Sequence, residues 1–158
     1  MPATLEEAEG AAATARGWMR VSDGPLLDLQ RRCEGLGLLA FSLELGEEGR
    51  DAAYVAVDRW GVALVNGSVD PERRRFNLAH ELGHHLFEDA YAPEVTISPG
   101  SETERMINAF AAHLLLPRRE VTEAWQGFDD SRLAAVAIGV RFPRELVSRP
   151  STRSTLSI

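Results

Sequence analysis

The pattern of apolar and polar positions in the first 35 residues is helical. Residues 5–20 are rich in alanine and glutamate and follow Thr4, a residue type that caps helices, so they predict a first helix. A second apolar stripe predicts another helix, which begins near Asp23 and ends at Gly35 or Gly37. This stripe consists of Leu26, Leu29 and Cys33.

The middle of the chain changes to short apolar runs that are separated by turn residues. The runs cover residues 38–45, 53–57 and 62–65, and charged or glycine-containing turns lie between them. Runs of this length and composition are typical of β-strands. Three strands in such close succession predict a small antiparallel sheet.

Helical patterns return after residue 70. Asp70 and Pro71 are a helix start, and the helix that follows should carry residues 76–87. Ser101 begins a second helix, which ends before Pro117. Two further helices are expected at residues 118–126 and 130–139.

Helices, then strands, then helices again predict an α+β fold rather than an alternating α/β fold. The length of 158 residues fits one domain. We expect this domain to cover residues 1–147 and to be followed by a flexible tail at 148–158. Its parts would be N-terminal helices (1–35), a sheet (36–66), two helices that carry the chemistry (70–117) and C-terminal helices (118–147).

Composition excludes several classes of function. The formal net charge of −7 argues against nucleic-acid binding, which needs clustered positive charge. No apolar run approaches the roughly 18–20 residues of a membrane span, and the acidic N-terminus lacks the features of a signal peptide. A single cysteine, Cys33, allows neither an internal disulfide nor a cysteine-based zinc site. We therefore expect a cytoplasmic protein with a buried thiol.

The strongest chemical signal is the sequence HELGH at residues 80–84, inside the helix after Asp70. Residues four apart lie one turn above each other, so His80 and His84 can point at one metal ion. Glu81 is rotated by about 100° from His80 and can reach a water molecule instead of the metal. The spacing therefore predicts two zinc ligands and a general base.

A catalytic zinc site needs a third protein ligand and an open fourth position. Glu104, on the next predicted helix, is the candidate, although Glu102 could take this place if the helix register differs. A second alternative is that Glu104 only caps its helix. Asn108 lies one turn beyond Glu104 and can accept the free N–H of a ligating histidine.

Three further residues have side chains that could take part in chemistry at this site. His85 is rotated by about 100° from His84, so it cannot share the same ion, and His113 lies on the opposite face of its helix from Glu104. Tyr91, just after the metal helix, is a candidate hydrogen-bond donor to the oxyanion of a tetrahedral intermediate.

Two segments resemble the ImmA/IrrE family of metallopeptidases. Residues 75–86 read RFNLAHELGHHL, and residues 104–117 read ERMINAFAAHLLLP, which is similar to the family pattern E-x-x-A-N-x-F-A-x-x-L-L-x-P. With the preceding strands, the resemblance covers roughly residues 35–117. Ile107 departs from it, because the family usually has alanine at this position.

This resemblance implies a gluzincin-like fold, with His80, His84 and Glu104 as zinc ligands and Glu81 as general base. It also implies one zinc ion per chain and a protein substrate, since family members act beside helix-turn-helix repressors in stress responses. The ligand set also suits Mn²⁺ or Fe²⁺. The alternative function is a regulator-binding module whose zinc site is structural or vestigial.

Overall fold

The computed structural model of the protein describes residues 1–46, 48–87 and 101–126. Within these residues the chain forms five helices and three strands. In chain order they are α1 (Leu5–Trp18), α2 (Leu29–Gly35), β1 (Leu38–Leu43), β2 (Ala52–Val57), β3 (Trp60–Asn66), α3 (Pro71–Leu86), α4 (Glu102–Leu115) and α5 (Arg118–Gln126). The expected helix at 130–139 and the tail at 148–158 lie outside the described residues.

The α+β fold and its three-stranded sheet are confirmed, but the sheet is mixed rather than antiparallel. Its order is β1-β3-β2, with β2 antiparallel to β3 and β1 parallel to β3. A two-residue turn joins β2 to β3, and its first residue, Asp58, has φ of 52°, as such tight hairpins require. Strand β3 lies between β1 and β2 in the sheet, although β2 comes between β1 and β3 in the chain.

The Asn66 side chain, at the end of β3, fixes the residues that directly follow β1. This side chain is fully buried, and its Nδ2 donates to Gly46 O at 2.7 Å while its Oδ1 accepts from Leu45 N at 3.2 Å. The backbone N–H of Asn66 donates to Asp51 O at 2.8 Å. One amide side chain thus satisfies two backbone polar groups after β1, the N–H of Leu45 and the carbonyl of Gly46.

The helices form layers on the inner face of the sheet. Helix α3 packs against the sheet, and α4 packs against both α3 and α1. Three alanines on one face of α1 are fully buried, which lets α1 and α4 approach closely. They are Ala8, Ala12 and Ala15.

The second helix is shorter than its apolar stripe predicted. It begins at Leu29 rather than near Asp23, because two residues before it have left-handed backbone: Gly24 with φ of 81° and Asp28 with φ of 53°. A helix cannot continue through such positions. Leu26 is nevertheless fully buried, so the stripe marks core residues in a loop as well as in a helix.

Other sequence predictions fit the described structure. The Thr4 hydroxyl accepts from Glu7 N at 3.1 Å and caps α1. Cys33 is fully buried, and this burial raises the pKa of its thiol to about 12. None of the helices in the described part of the chain combines the length and apolarity that crossing a bilayer requires.

Candidate metal centre

Helix α3 presents the two predicted histidine ligands one turn apart. Asp70 stands at its N-cap position, although its side chain makes no capping hydrogen bond, and Pro71 occupies the first turn. The Nε2 atoms of His80 and His84 lie 3.1 Å apart. His84 is fully buried and His80 is half-buried, so the pair faces the interior beside α4.

Helix α4 brings Glu104 to the same point. The Ser101 hydroxyl accepts from Glu104 N at 3.2 Å and fixes the first turn of α4. Glu104 Oε2 lies 3.3 Å from His80 Nε2, and Oε1 lies 3.5 Å from His84 Nε2. The Glu104 side chain is therefore turned toward the histidines.

Glu102 does not join the cluster. Its carboxylate is 65% exposed and forms a 2.7 Å ion pair with Arg105 on the surface of α4. The register of α4 thus separates the two candidate acids, with Glu104 inside and Glu102 outside.

The three side chains lie close enough together to hold one metal ion. Ligand atoms about 2.0–2.1 Å from a tetrahedral zinc ion lie about 3.3 Å from one another. The two histidine nitrogens lie 3.1 Å apart, and the two Glu104 oxygens lie 3.3 Å from His80 Nε2 and 3.5 Å from His84 Nε2, respectively. One ligand atom from each residue lies within 4.8 Å of the other two. Within the described chain, buried Glu104 Oε1 has no hydrogen-bond partner, which a bound cation would supply. The donor set therefore fits a divalent metal ion.

Asn108 contacts the outer nitrogen of one histidine. The Nδ1–H of His80 donates to Asn108 Oδ1 at 3.0 Å. Because Asn108 Oδ1 is an acceptor, the His80 proton belongs on Nδ1 and the lone pair of Nε2 points into the cluster. Asn108 lies one turn beyond Glu104 on α4, so both helices contribute to the orientation of His80.

Glu81 lies beside the cluster and is buried. Its side chain is 5% exposed, and its Oε2 has no hydrogen-bond partner among the described residues. Burial, and second the nearby Glu104 carboxylate, raise the pKa of Glu81 from 4.5 to about 8. A cation at this position would offset both unfavourable effects, which agrees with the fit of the donor set.

The remaining candidates lie elsewhere. His113 Nε2 lies 3.9 Å from Glu9 Oε2, on the α1 side of α4 and away from the metal cluster. His85 points to the sheet, where it contacts Tyr54 and the Leu36 carbonyl. Tyr91, the candidate oxyanion donor, lies outside the described residues.

Sequence reasoning missed Tyr54 as a neighbour of the site. Its ring lies nearly parallel to that of His84, with centroids 6.5 Å apart and an interplanar angle of 13°. Tyr54 is the buried residue of β2, but the strand sequence AAYVAV is apolar throughout and does not show which face is inner. The helix residue that Tyr54 meets depends on tertiary packing.

Comparison with known proteins gives two matches to this chain. The model of the Peptidase_M78 family, described as the IrrE N-terminal-like domain, matches residues 33–143. The chain is also 31% identical over 87 residues to the radiation response metalloprotease IrrE of Deinococcus radiodurans. That alignment covers 51% of this chain and 26% of the relative, so the chain matches about a quarter of the relative's length.

Proposed function

This chain belongs to the Peptidase_M78 family of metallopeptidases, and from that premise we propose that it is a zinc-dependent endopeptidase. The observation that carries the proposal is the convergence of His80, His84 and Glu104, whose ligand atoms all lie within 4.8 Å of one another. Two histidines and one carboxylate are a ligand set of catalytic zinc sites, because they leave the fourth position open.

In this proposal the three ligands bind one zinc ion per chain, and Asn108 orients the His80 ring through its Nδ1–H. When bound there, zinc would act as a Lewis acid toward a carbonyl group and would lower the pKa of water from about 16 to about 7. Mn²⁺ and Fe²⁺ suit the same ligands, so the metal content of the purified protein decides between them.

Glu81 acts as the general acid–base. It is adjacent to a ligand, buried, and has one carboxylate oxygen without a hydrogen-bond partner in the described structure. That oxygen takes a proton from the attacking water, and the same group then gives the proton to the leaving amine nitrogen. The burial of Glu81 keeps bulk water from competing for the proton.

The proposed substrate is a specific protein, namely a helix-turn-helix transcriptional repressor that is cleaved in a stress response. Support comes from the similarity to the ImmA/IrrE signatures and from the relative, which is named a radiation response metalloprotease. Such a substrate would place the protein in the cytoplasm. We further propose that the metallopeptidase domain covers residues 1–147.

The edge of the sheet offers a way to bind an extended substrate segment. Strand β2 is an edge strand of the described sheet, and its residue Tyr54 stacks on the His84 ring. An extended peptide that pairs with β2 as an added strand would therefore run beside the metal ligands.

The alternative is a non-enzymatic module that docks onto a regulator and keeps a structural or vestigial zinc site. Glu81 argues against it, because a buried carboxylate that binds neither metal nor partner costs stability and has no use in a structural site. The two functions differ in their dependence on Glu81.

The Glu81→Gln variant separates them. Zinc-loaded wild type and Glu81→Gln are each incubated with an extract of the source organism, and new protein N-termini are identified by mass spectrometry. We expect cleavage of one or a few proteins, a helix-turn-helix repressor among them, with turnover lower by roughly 10²–10⁴ in Glu81→Gln. The metal content should stay unchanged.

Glu102→Gln is the matched control, since it removes one exposed acid from α4 and should cleave like wild type. No new N-termini with wild type, together with equal binding of one protein by wild type and Glu81→Gln, would favour the docking module.

A further inference from the structure

We infer that Tyr54 and His85 are positioning residues that fix the ring of the ligand His84 against the sheet. This inference rests on the proposed metal-binding function. It concerns residues outside the HELGH ligands, namely a tyrosine on β2 and the histidine directly after His84 on α3. Together with the Leu36 carbonyl we call them the His85 relay.

The chemistry of the groups fixes the direction of the hydrogen bonds in the relay. His85 Nε2 lies 3.1 Å from Leu36 O, and a carbonyl oxygen can only accept. The His85 proton is therefore on Nε2, which leaves a lone pair on Nδ1. Tyr54 Oη lies 3.1 Å from that Nδ1, so the tyrosine hydroxyl donates to it.

The relay holds the Tyr54 ring nearly parallel to the ring of a metal ligand, with the ring centroids 6.5 Å apart. The rings of Tyr54 and His84 make an angle of 13°, whereas Tyr54 meets His85 edge-on at 60°. Tyr54 is 7% exposed and His84 is fully buried, so little space remains on this side for rotation of the His84 ring. The hydroxyl bond to His85 keeps the tyrosine in this position.

Gly61 provides the room in which the relay forms. A Cβ atom at this position would lie 2.6 Å from Tyr54 Cε2 and 2.7 Å from His85 Nδ1. It would also lie 2.9 Å from Leu38 Cδ1, on the neighbouring strand. Any larger residue would therefore push the tyrosine and the histidine out of hydrogen-bonding position.

All three strands thus contribute to the orientation of one ligand. The relay begins at the turn before β1, passes through Tyr54 on β2 and is accommodated by Gly61 on β3. Partners that hydrogen-bond a metal ligand typically change metal affinity 10- to 100-fold when they are removed. His80 has such a bond to Asn108, whereas the relay acts on His84 through the packing of the Tyr54 ring, so we expect an effect at the lower end of this range.

The test uses Co²⁺ as a spectroscopic probe of ligand geometry in the full chain. Wild type, Tyr54→Phe and Tyr54→Leu are titrated with Co²⁺, and Kd and the visible absorption bands are recorded. Zn²⁺ affinity follows from competition with a chelator. We expect about tenfold weaker binding for Tyr54→Phe, a larger loss for Tyr54→Leu, and shifted bands in both.

Two controls separate positioning from stability. Val65→Ala removes buried apolar surface from the inner face of the same sheet, so it should lower the Tm but leave the Co²⁺ affinity and bands unchanged. In the double variant Tyr54→Phe/His85→Ala, the loss of affinity should be smaller than the sum of the two single losses, because both remove the same hydrogen bond.

The outcomes distinguish the inference from the function on which it rests. If wild type binds Co²⁺ and Zn²⁺ with one ion per chain and both Tyr54 variants match its affinity and bands, the positioning role is wrong and the metal centre stands. If wild type itself binds neither ion, the proposed function and the relay's role fall together.

Discussion

Four titratable side chains share a small buried volume around the candidate metal centre. His80, His84, Glu81 and Glu104 come from two helices, and two of them are carboxylates that would repel each other in a site of low dielectric constant. Burial is the main cause of the raised pKa of Glu81, and the Glu104 carboxylate raises it further. A divalent cation between these groups turns the repulsion into attraction, so metal binding and the local fold should stabilise each other.

At the residue scale, Asn108→Ala tests how far orientation of a ligand matters. The variant removes the acceptor of the His80 Nδ1–H, and the ring can then rotate or change tautomer. We expect Zn²⁺ affinity to fall 10- to 100-fold in a chelator competition assay. The Tm of the chelator-treated protein should change little, since Asn108 is exposed.

Asn108→Asp provides the contrast, because a carboxylate keeps the acceptor and should retain most of the affinity. Equal affinity in wild type and Asn108→Ala would show that His80 needs no such partner.

At the element scale, the site depends on how closely α3 and α4 approach. Gly83 directly precedes the ligand His84 on α3. A Cβ atom at Gly83 would be 2.9 Å from Ile107 Cγ2 and 3.1 Å from Phe110 Cδ1. Ile107 is fully buried although the family pattern usually has alanine at this position. The glycine therefore accommodates the larger isoleucine.

Gly83→Ala should destabilise the protein by about 1–2 kcal/mol in urea unfolding, because overpacking outweighs the better helix propensity of alanine. In Gly83→Ala/Ile107→Ala the penalty for the alanine at 83 should largely disappear. Gly10→Ala is the matched control, since Gly10 is exposed on α1 with no atom within 4 Å of the new Cβ. That change should stabilise by about 0.5–1 kcal/mol. Stabilisation by Gly83→Ala as well would contradict this account of the interface.

Elements with strong local signals could be predicted from the sequence, and those set by distant contacts could not. Thr4 and Ser101 marked helix starts because a cap acts within four residues, and Pro71 marked one because proline favours the first turn of a helix. The parallel pairing of β1 with β3 was missed, since the order β1-β3-β2 depends on contacts between strands that local sequence patterns do not encode.

The candidate site shows the same division. The HELGH spacing on one helix placed His80 and His84 together because a helix turn is a fixed distance. The choice between Glu104 and Glu102 needed the register of α4, and the contact of Tyr54 with His84 needed the packing of a strand on a helix. Neither is fixed by local chain geometry.

At the scale of the whole molecule, one buried arginine joins the first helix to the last described ones. Arg16 on α1 is 2% exposed, and its guanidinium donates to Leu114 O at 2.9 Å and to Gly24 O at 2.5 Å. Glu120 on α5 lies 3.8 Å away, and its Oε1 also accepts from Gly24 N. Leu114 O is one of the carbonyl groups that α4 leaves without a helical partner, so Arg16 completes the end of that helix.

Arg16→Met should therefore cost about 3 kcal/mol of unfolding free energy, because buried carbonyl groups and Glu120 lose their partner. Urea unfolding followed by circular dichroism gives this value. Arg105→Met is the comparison, because Arg105 is exposed and its pair with Glu102 should contribute at most about 1 kcal/mol. Similar losses in the two variants would mean that the Arg16 contacts do not tie the molecule together.

The metal content of the purified protein tests the central claim most directly. Wild type, Glu104→Ala and Glu102→Ala are purified in parallel, supplied with Zn²⁺, freed of unbound metal and measured by elemental mass spectrometry. The Glu102→Ala variant removes a neighbouring acid that points away from the histidines. We predict close to one zinc ion per chain in wild type and Glu102→Ala, and a clear loss in Glu104→Ala. Wild type without stoichiometric metal, or a Glu104→Ala variant that keeps it, would contradict the proposed centre.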